Sequence, residues 1–325
     1  MTRSLGNDQS RRRRVRRRPF LIFGILLAIV LVLGVVFVLS DRERLDLSSG
    51  VPAGVPGSMV PLSLGNVHYT WSGPSDGPVV VLVNPFSDPA YIWERNVDAL
   101  TGLGCRVLCY DLYGRGFSDR PRVTYTLDLF VDQLRELLGA LAVRVPVRLA
   151  GLSMGGEIAA AFTARNPELV DRLCLIDPQA IPITRKTLFP LGVPGVGEYL
   201  MTVYVIPFVL SSPVGDFYQP QSLPGWGDRY RPQTTYRGFR RALLSTLRHF
   251  PKDYMAAYRR VGELGKPVLL LWGEKDTSIP ISNAAGLRAA IPQVEFHPIA
   301  LAGHLSNYER PDLVNPLLTA FLVRR

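Results

Sequence analysis

From residue 20 to residue 39 the chain runs 20 residues without one charged or strongly polar side chain. Residues 41–60 then carry Ser, Gly and Pro with no apolar periodicity, and beyond them short apolar runs alternate with amphipathic stretches. Residues 59–64 and 67–71 predict two short strands around a Gly65-Asn66 turn. The run 79–83 is continuously apolar and β-branched, as in a strand buried on both faces, and 106–110, 147–152, 172–176, 267–272 and 294–299 are read as further strands. Helical spacing fills 91–103, 126–141, 154–166, 282–291 and 311–323. Strands alternating with helices of this length predict an α/β fold, a mostly parallel sheet with helices on both faces. Residues 178–265 break the alternation; they are rich in Pro, Gly and aromatics, with helical patterns near 196–210 and 236–258. So long an excursion between two strands is not a loop, and it predicts an inserted helical cap over the strand ends where ligands bind.

Composition narrows the picture. The chain has 325 residues, 47% hydrophobic and 20% charged, which excludes a disordered or collagen-like polymer. The net charge of +10 is uneven: residues 1–44 hold ten Arg against three acids, and the remaining residues are nearly balanced. The body therefore carries no nucleic-acid signature. Three cysteines exclude a disulfide scaffold, and Cys105, Cys109 and Cys174 sit in apolar runs as small hydrophobes.

A helix of 20 residues spans about 30 Å, the hydrocarbon thickness of a bilayer. Eight of the first 18 residues are Arg, and basic flanks remain on the cytoplasmic side. The expectation is a single-pass membrane protein with a cytoplasmic N-terminus and an extracytoplasmic catalytic body. A cleaved signal peptide is the alternative, but its apolar region is usually shorter. The expected organisation is a basic tail (1–19), a transmembrane anchor (20–39), a linker (40–60), a core in two parts (61–177 and 266–325) and the cap (178–265).

Gly151-Leu-Ser-Met-Gly155 fits Gly-x-Ser-x-Gly, set between an apolar strand and an Ala-rich helix. Such a turn lifts the Ser153 hydroxyl above the sheet, and the backbone N–H of Met154 points at a developing oxyanion. A hydroxyl needs a base to become a nucleophile. His68, His249 and His297 lie in a strand, the cap and a strand, and read as structural. His304 follows the last strand, where it can reach Ser153. Asp276 follows the strand 267–272 and is the candidate acid, with Asp177, at another strand end, in reserve. The chain order Ser153, Asp276, His304 is that of one particular fold.

From residue 61 to 323 the chain resembles the α/β-hydrolase family with a cap. Asp111-Leu-Tyr-Gly-Arg-Gly-Phe-Ser-Asp-Arg-Pro121 is similar to that family's Asp-x-x-Gly-x-Gly-x-Ser-x-x-Pro loop, and Trp272-Gly-Glu-Lys-Asp276 and Ala302-Gly-His304 extend the likeness. The branch it looks most like holds monoacylglycerol-lipase-like and ring-cleavage-product hydrolases. The family usually reads His-Gly-x after its third strand, where the N–H of x is an oxyanion donor; this chain reads Asn84-Pro85-Phe86, which implies Phe86 as donor beside Met154. Asn84 offers a side-chain hydrogen bond in place of the His. The resemblance implies a serine hydrolase cleaving carboxylic esters, lipid esters among them, through an acyl-enzyme. It implies no metal and no organic cofactor. The partners expected are a small-molecule ester and the membrane, with no nucleic acid. An inactive scaffold on the same fold, an acyltransferase and a C–C bond hydrolase are the alternatives.

Overall fold

Alternation within single strands builds the core. In β3 (Val79–Val83), Val79, Val81 and Val83 pack into one hydrophobic layer while Val80 and Leu82 pack into the other. Such a strand is covered on both faces, so it reads as an unbroken apolar run. The structure is a computed structural model describing residues 7–47, 50–52, 54–211, 216–223, 225–251 and 253–324. Parts of the expected tail (1–6), linker (48, 49, 53), cap (212–215, 224, 252) and second core segment (325) lie outside the described residues.

The other strands are β1 (Ser58–Leu62), β2 (Gly65–Ser72), β4 (Arg106–Tyr110), β5 (Val147–Leu152), β6 (Val170–Ile176), β7 (Val268–Gly273) and β8 (Glu295–Ile299). They form one eight-stranded sheet in the order β1-β2-β4-β3-β5-β6-β7-β8. The β1–β2 and β2–β4 pairs are antiparallel and the rest are parallel. The carboxyl ends of β3, β5, β6 and β7 therefore share one edge, where ligands bind in sheets of this kind.

The helices before β6 are α1 (Asn7–Ser40), α2 (Glu94–Thr101), α3 (Leu127–Ala140) and α4 (Met154–Arg165). Between β6 and β7 come α5 (Arg185–Leu188), α6 (Val196–Leu200), α7 (Ile206–Ser211), α8 (Trp226–Tyr230), α9 (Phe239–His249) and α10 (Met255–Glu263). The chain closes with α11 (Ala284–Ala290), α12 (Ser306–Glu309) and α13 (Pro311–Val323). Thr126 caps α3, its side chain accepting from the Leu129 N–H. The segment between β6 and β7 has its own small core, where Met201, Ile206 and Leu210 meet Tyr230, Phe239 and Leu243.

Three local expectations change. The β1–β2 turn is Ser63-Leu64 rather than Gly65-Asn66, since Leu62 pairs with Gly65. Gly65 is there for another reason: a Cβ on it would lie 2.8 Å from Asp119, whose carboxylate accepts the Asn66 N–H. The helix expected over 236–258 is two helices, because Pro251 follows Phe250 in extended backbone and ends α9. The first turn of the helix expected from residue 91 is 3₁₀, over Ala90–Trp93.

Among the described residues one helix is long and apolar enough to cross a membrane: Ile22–Ser40 within α1, exposed except near its end, where Val36, Phe37 and Ser40 are half-buried. Beyond it, residues of the expected linker lie against α9. The Glu43 carboxylate accepts the N–H groups of Gly238 (2.8 Å) and Arg240 (2.7 Å), satisfying the first turn of that helix. Arg240 pairs with both Asp41 (2.7 Å) and Glu43 (3.1 Å). Leu45 forms a parallel bridge with Tyr236.

Candidate active site

β5 runs into α4 through Ser153, which is held at φ 53° and ψ −122°. A non-glycine residue in that region is strained and survives only where its surroundings dictate it. Here they do. A Cβ on Gly155 would lie 2.2 Å from the carbonyl oxygen of Val83, and one on Gly151 2.2 Å from that of Gly155. Both glycines let β3, β5 and α4 close together around the turn.

The hydroxyl of Ser153 lies 2.8 Å from Nε2 of His304. Nδ1 of His304 lies 2.8 Å from Oδ2 of Asp276. The other oxygen, Oδ1, accepts the Ile279 N–H at 2.8 Å, which sets the carboxylate plane. All three side chains are buried. Burial alone would hold the His304 imidazole down, but the hydrogen bond and charge of Asp276, with Asp216 and Asp177 beyond, push it up to about 9. The arrangement can pass a proton from the hydroxyl to the imidazole while the carboxylate fixes the tautomer.

Asp177, the reserve acid, occupies a different place. Its Oδ1 accepts the Gly273 N–H (2.7 Å), and Oδ2 accepts the backbone N–H (3.0 Å) and hydroxyl (2.6 Å) of Ser306. It ties the end of β7, which leads to Asp276, to the turn that follows His304. Burial raises its carboxyl above the ordinary range, and the charge of Asp276 adds to this.

The site opens into a cavity of ≈ 270 Å³, lined by Phe86, Met154, Ile183, Leu247 and Phe250 beside Ser153 and His304. Asp88 and Asp216 line it too, and among the described residues no Lys or Arg does. Asp88 is buried, and that burial with the charge of Asp216 pushes its carboxyl up to about 7. Among the described residues, neither the Phe86 nor the Met154 N–H is taken by another backbone carbonyl outside a helix or strand.

The Asn84 side chain is buried, does not line the cavity and makes its hydrogen bonds to the core. Its amide donates to the Tyr110 carbonyl (2.8 Å) and accepts from Trp93 Nε1 (3.1 Å), so it braces the core beneath the loop. Arg115 was not singled out by sequence reasoning. It is fully buried and donates to the carbonyls of Phe86 (2.8 Å) and Tyr113 (3.1 Å) and to the Thr246 hydroxyl (2.8 Å). Its place inside the Asp111–Pro121 loop is the one signal the sequence carries for it.

The remaining histidines lie elsewhere. His68 bonds Asp111 (2.9 Å) and the Pro56 carbonyl (3.0 Å), His249 the Ser245 carbonyl (2.8 Å), and His297 Glu295 (3.0 Å). The three cysteines are buried and unpaired.

A profile of the alpha/beta hydrolase family matches residues 80–317. A 2-hydroxy-6-oxononadienedioate/2-hydroxy-6-oxononatrienedioate hydrolase of Paraburkholderia xenovorans is 27% identical, over 79% of this chain and 90% of its own. The enol-lactonase from Burkholderia xenovorans LB400 superposes with a TM-score of 0.71 at 22% identity, over 82% of this chain and 100% of its own. A membrane phospholipase A, a bacterial virulence factor, superposes with a TM-score of 0.66 at 25% identity, over 94% of this chain and 98% of its own.

Proposed function

The chain belongs to the alpha/beta hydrolase family, and from that premise we propose that it is a membrane-anchored serine hydrolase of lipophilic carboxylic esters. Ser153 is the nucleophile, His304 the base and Asp276 the acid that orients it. His304 takes the proton as Ser153 Oγ attacks the ester carbonyl, and the Phe86 and Met154 N–H groups receive the oxyanion. His304 then protonates the leaving alcohol, and water attacks the acyl-enzyme by the same route in reverse.

The observation that carries this reading is the continuous relay from Ser153 through His304 to Asp276, 2.8 Å at each step, beneath a largely apolar cavity. Two further observations support a lipophilic ester. Residues 178–265 act in this reading as a cap, and Ile183, Leu247 and Phe250 from it are walls of the cavity. The match to the membrane phospholipase A leaves too little of the chain uncovered to omit α1. We read α1 as an uncleaved anchor, its basic end cytoplasmic and the body outside.

The curated relative's name favours a second reading, hydrolysis of a C–C bond in a dioate. The cavity speaks against it: a dianion would meet Asp88 and Asp216 with no Lys or Arg among the described lining residues.

The test is labelling of the full chain in detergent with a fluorophosphonate, beside the Ser153→Ala variant, followed by a chain-length series of esters. Labelling of the parent alone, with turnover rising toward medium and long acyl chains, is the expected result. An unlabelled Ser153 removes the hydrolase reading. A labelled enzyme preferring acetate esters removes only the lipophilic part, and one preferring the dioate installs the second reading.

A further inference from the structure

Among the described residues outside α1, six of the eleven exposed large apolar side chains lie on the segment between β6 and β7, the others being scattered singly. Phe189 is 71% exposed, Tyr204 62% and Phe208 50%, and Val193 and Val196 are exposed on the same segment. Tyr204 and Phe208 stack on each other one turn apart, so their rings form one patch rather than two isolated contacts. Arg185 and Lys186, both exposed, stand four and three residues before Phe189.

The same segment meets α1. The Phe37 ring, near the end of α1, stacks on Tyr199 with centroids 6.2 Å apart, five residues before Tyr204. The Asp41–Arg240 and Glu43–Arg240 pairs then hold the chain leaving α1 against α9. A bilayer crossed by Ile22–Ser40 therefore ends beside α6, the π-helical turn Met201–Val205 and α7. Aromatic and aliphatic side chains next to basic ones are the composition that settles at the boundary of headgroups and acyl chains.

We propose that the patch formed by Phe189, Val193, Val196, Tyr204 and Phe208 inserts into the outer boundary of the bilayer that α1 crosses. Arg185 and Lys186 lie on anionic headgroups beside it. The proposal rests on α1 being a span, and it adds that the cap itself is a membrane-binding surface. Product and substrate then exchange with the lipid phase at the cap rather than through bulk water.

The experiment uses the full chain in vesicles of phosphatidylcholine and phosphatidylglycerol. Flotation after an alkaline wash reads the anchor, and dibrominated acyl chains read depth at Phe208→Trp, with Leu103→Trp as an exposed site away from the cap. Expected are flotation of both variants and a marked loss of the added emission for Phe208→Trp alone. Flotation with equal emission from both overturns the patch while sparing the anchor; failure to float overturns both. Contact with a second copy would give unquenched emission and concentration-dependent cross-linking, and overturns it as well. The pair Tyr204→Asp and Phe208→Asp should lower turnover of a long-chain ester in vesicles by about tenfold and leave a short soluble ester unchanged. Equal loss on both esters would mark a folding defect and count against the proposal.

Discussion

The guanidinium of Arg115 donates through Nε to the carbonyl oxygen of Phe86 at 2.8 Å. That carbonyl lies one residue past Pro85, which fixes its own φ but has no N–H to anchor the loop. Arg115 supplies the missing anchor, and its Nη2 reaches Thr246 on α9, so one buried cation joins the proposed oxyanion loop to that helix.

Replacing Arg115 by Met keeps much of the volume and removes all three hydrogen bonds. The expected result is a fall in kcat of about tenfold or more, with KM for a soluble ester little changed, because a displaced oxyanion donor weakens the transition state. Arg115→Lys should recover little, since an ammonium cannot serve the three divergent acceptors as the planar fork does. Steady-state kinetics of both variants check this, beside thermal melts that separate a folding defect from a catalytic one.

How such a residue escapes sequence reading is physical. Gly151-Leu-Ser-Met-Gly155 is legible because a strand, a tight turn and a helix are all local, and the steric demand for Gly151, whose Cβ would meet the Gly155 carbonyl, falls within five residues. The strands were legible for the same reason, β3 above all. Arg115 instead meets a residue 29 positions back and another 131 positions ahead, and nothing near it in sequence announces either. Asp41 and Glu43 were hidden likewise: polar residues without periodicity read as linker until their partners on α9, nearly 200 residues on, are known. Asn84 was legible only in outline: a side-chain hydrogen bond in place of a His was expected, but its partners, Trp93 and the Tyr110 carbonyl, lie 9 and 26 residues on.

Asp177 bears on the pH dependence. As the proposed base, His304 would act only when neutral, and against burial the hydrogen bond and charge of Asp276, then the charges of Asp216 and Asp177, push it up to about 9. For a soluble ester, kcat/KM should therefore rise with pH from neutrality through about 9. Asp177→Asn removes one of the raising charges while keeping an acceptor for Gly273 or Ser306, so that limb should move to lower pH. A pH–rate profile that falls in height without moving along the pH axis would assign Asp177 a purely structural role.

Glu157 offers a stability prediction away from the relay. It is buried in the first turn of α4, and among the described residues neither carboxylate oxygen has a hydrogen-bond partner. Burial first, then the charge of Asp253, raises it from 4.5 to about 9. The folded chain thus keeps a proton that the unfolded chain releases near 4.5, so stability falls as pH rises from about 4.5 to about 9. Glu157→Gln cannot ionise and should escape that fall. Its melting temperature relative to the parent should climb across this window and level off above it. A constant difference at pH 5, 7 and 9 would mean that the Glu157 carboxyl does not titrate as its burial requires.

Asp88 makes the charge of the cavity testable. Its carboxyl shares the cavity with Ser153, and the charge of Asp216 already works against its ionisation. A substrate carboxylate placed there would add a second repulsion at low effective dielectric. The parent should consequently hydrolyse an aryl butyrate much faster than the aryl hemisuccinate of similar length and shape. Asp88→Asn is nearly isosteric and removes the charge, so it should narrow that ratio by about tenfold, chiefly by improving the hemisuccinate, a change equivalent to about 1.4 kcal/mol. Paired kcat/KM values for the two esters at pH 8 give the ratio directly, where Asp88, at about 7, is mostly ionised. A parent indifferent to the added carboxylate would remove the electrostatic objection to a dioate, and the C–C bond reading would then stand on equal terms with the ester.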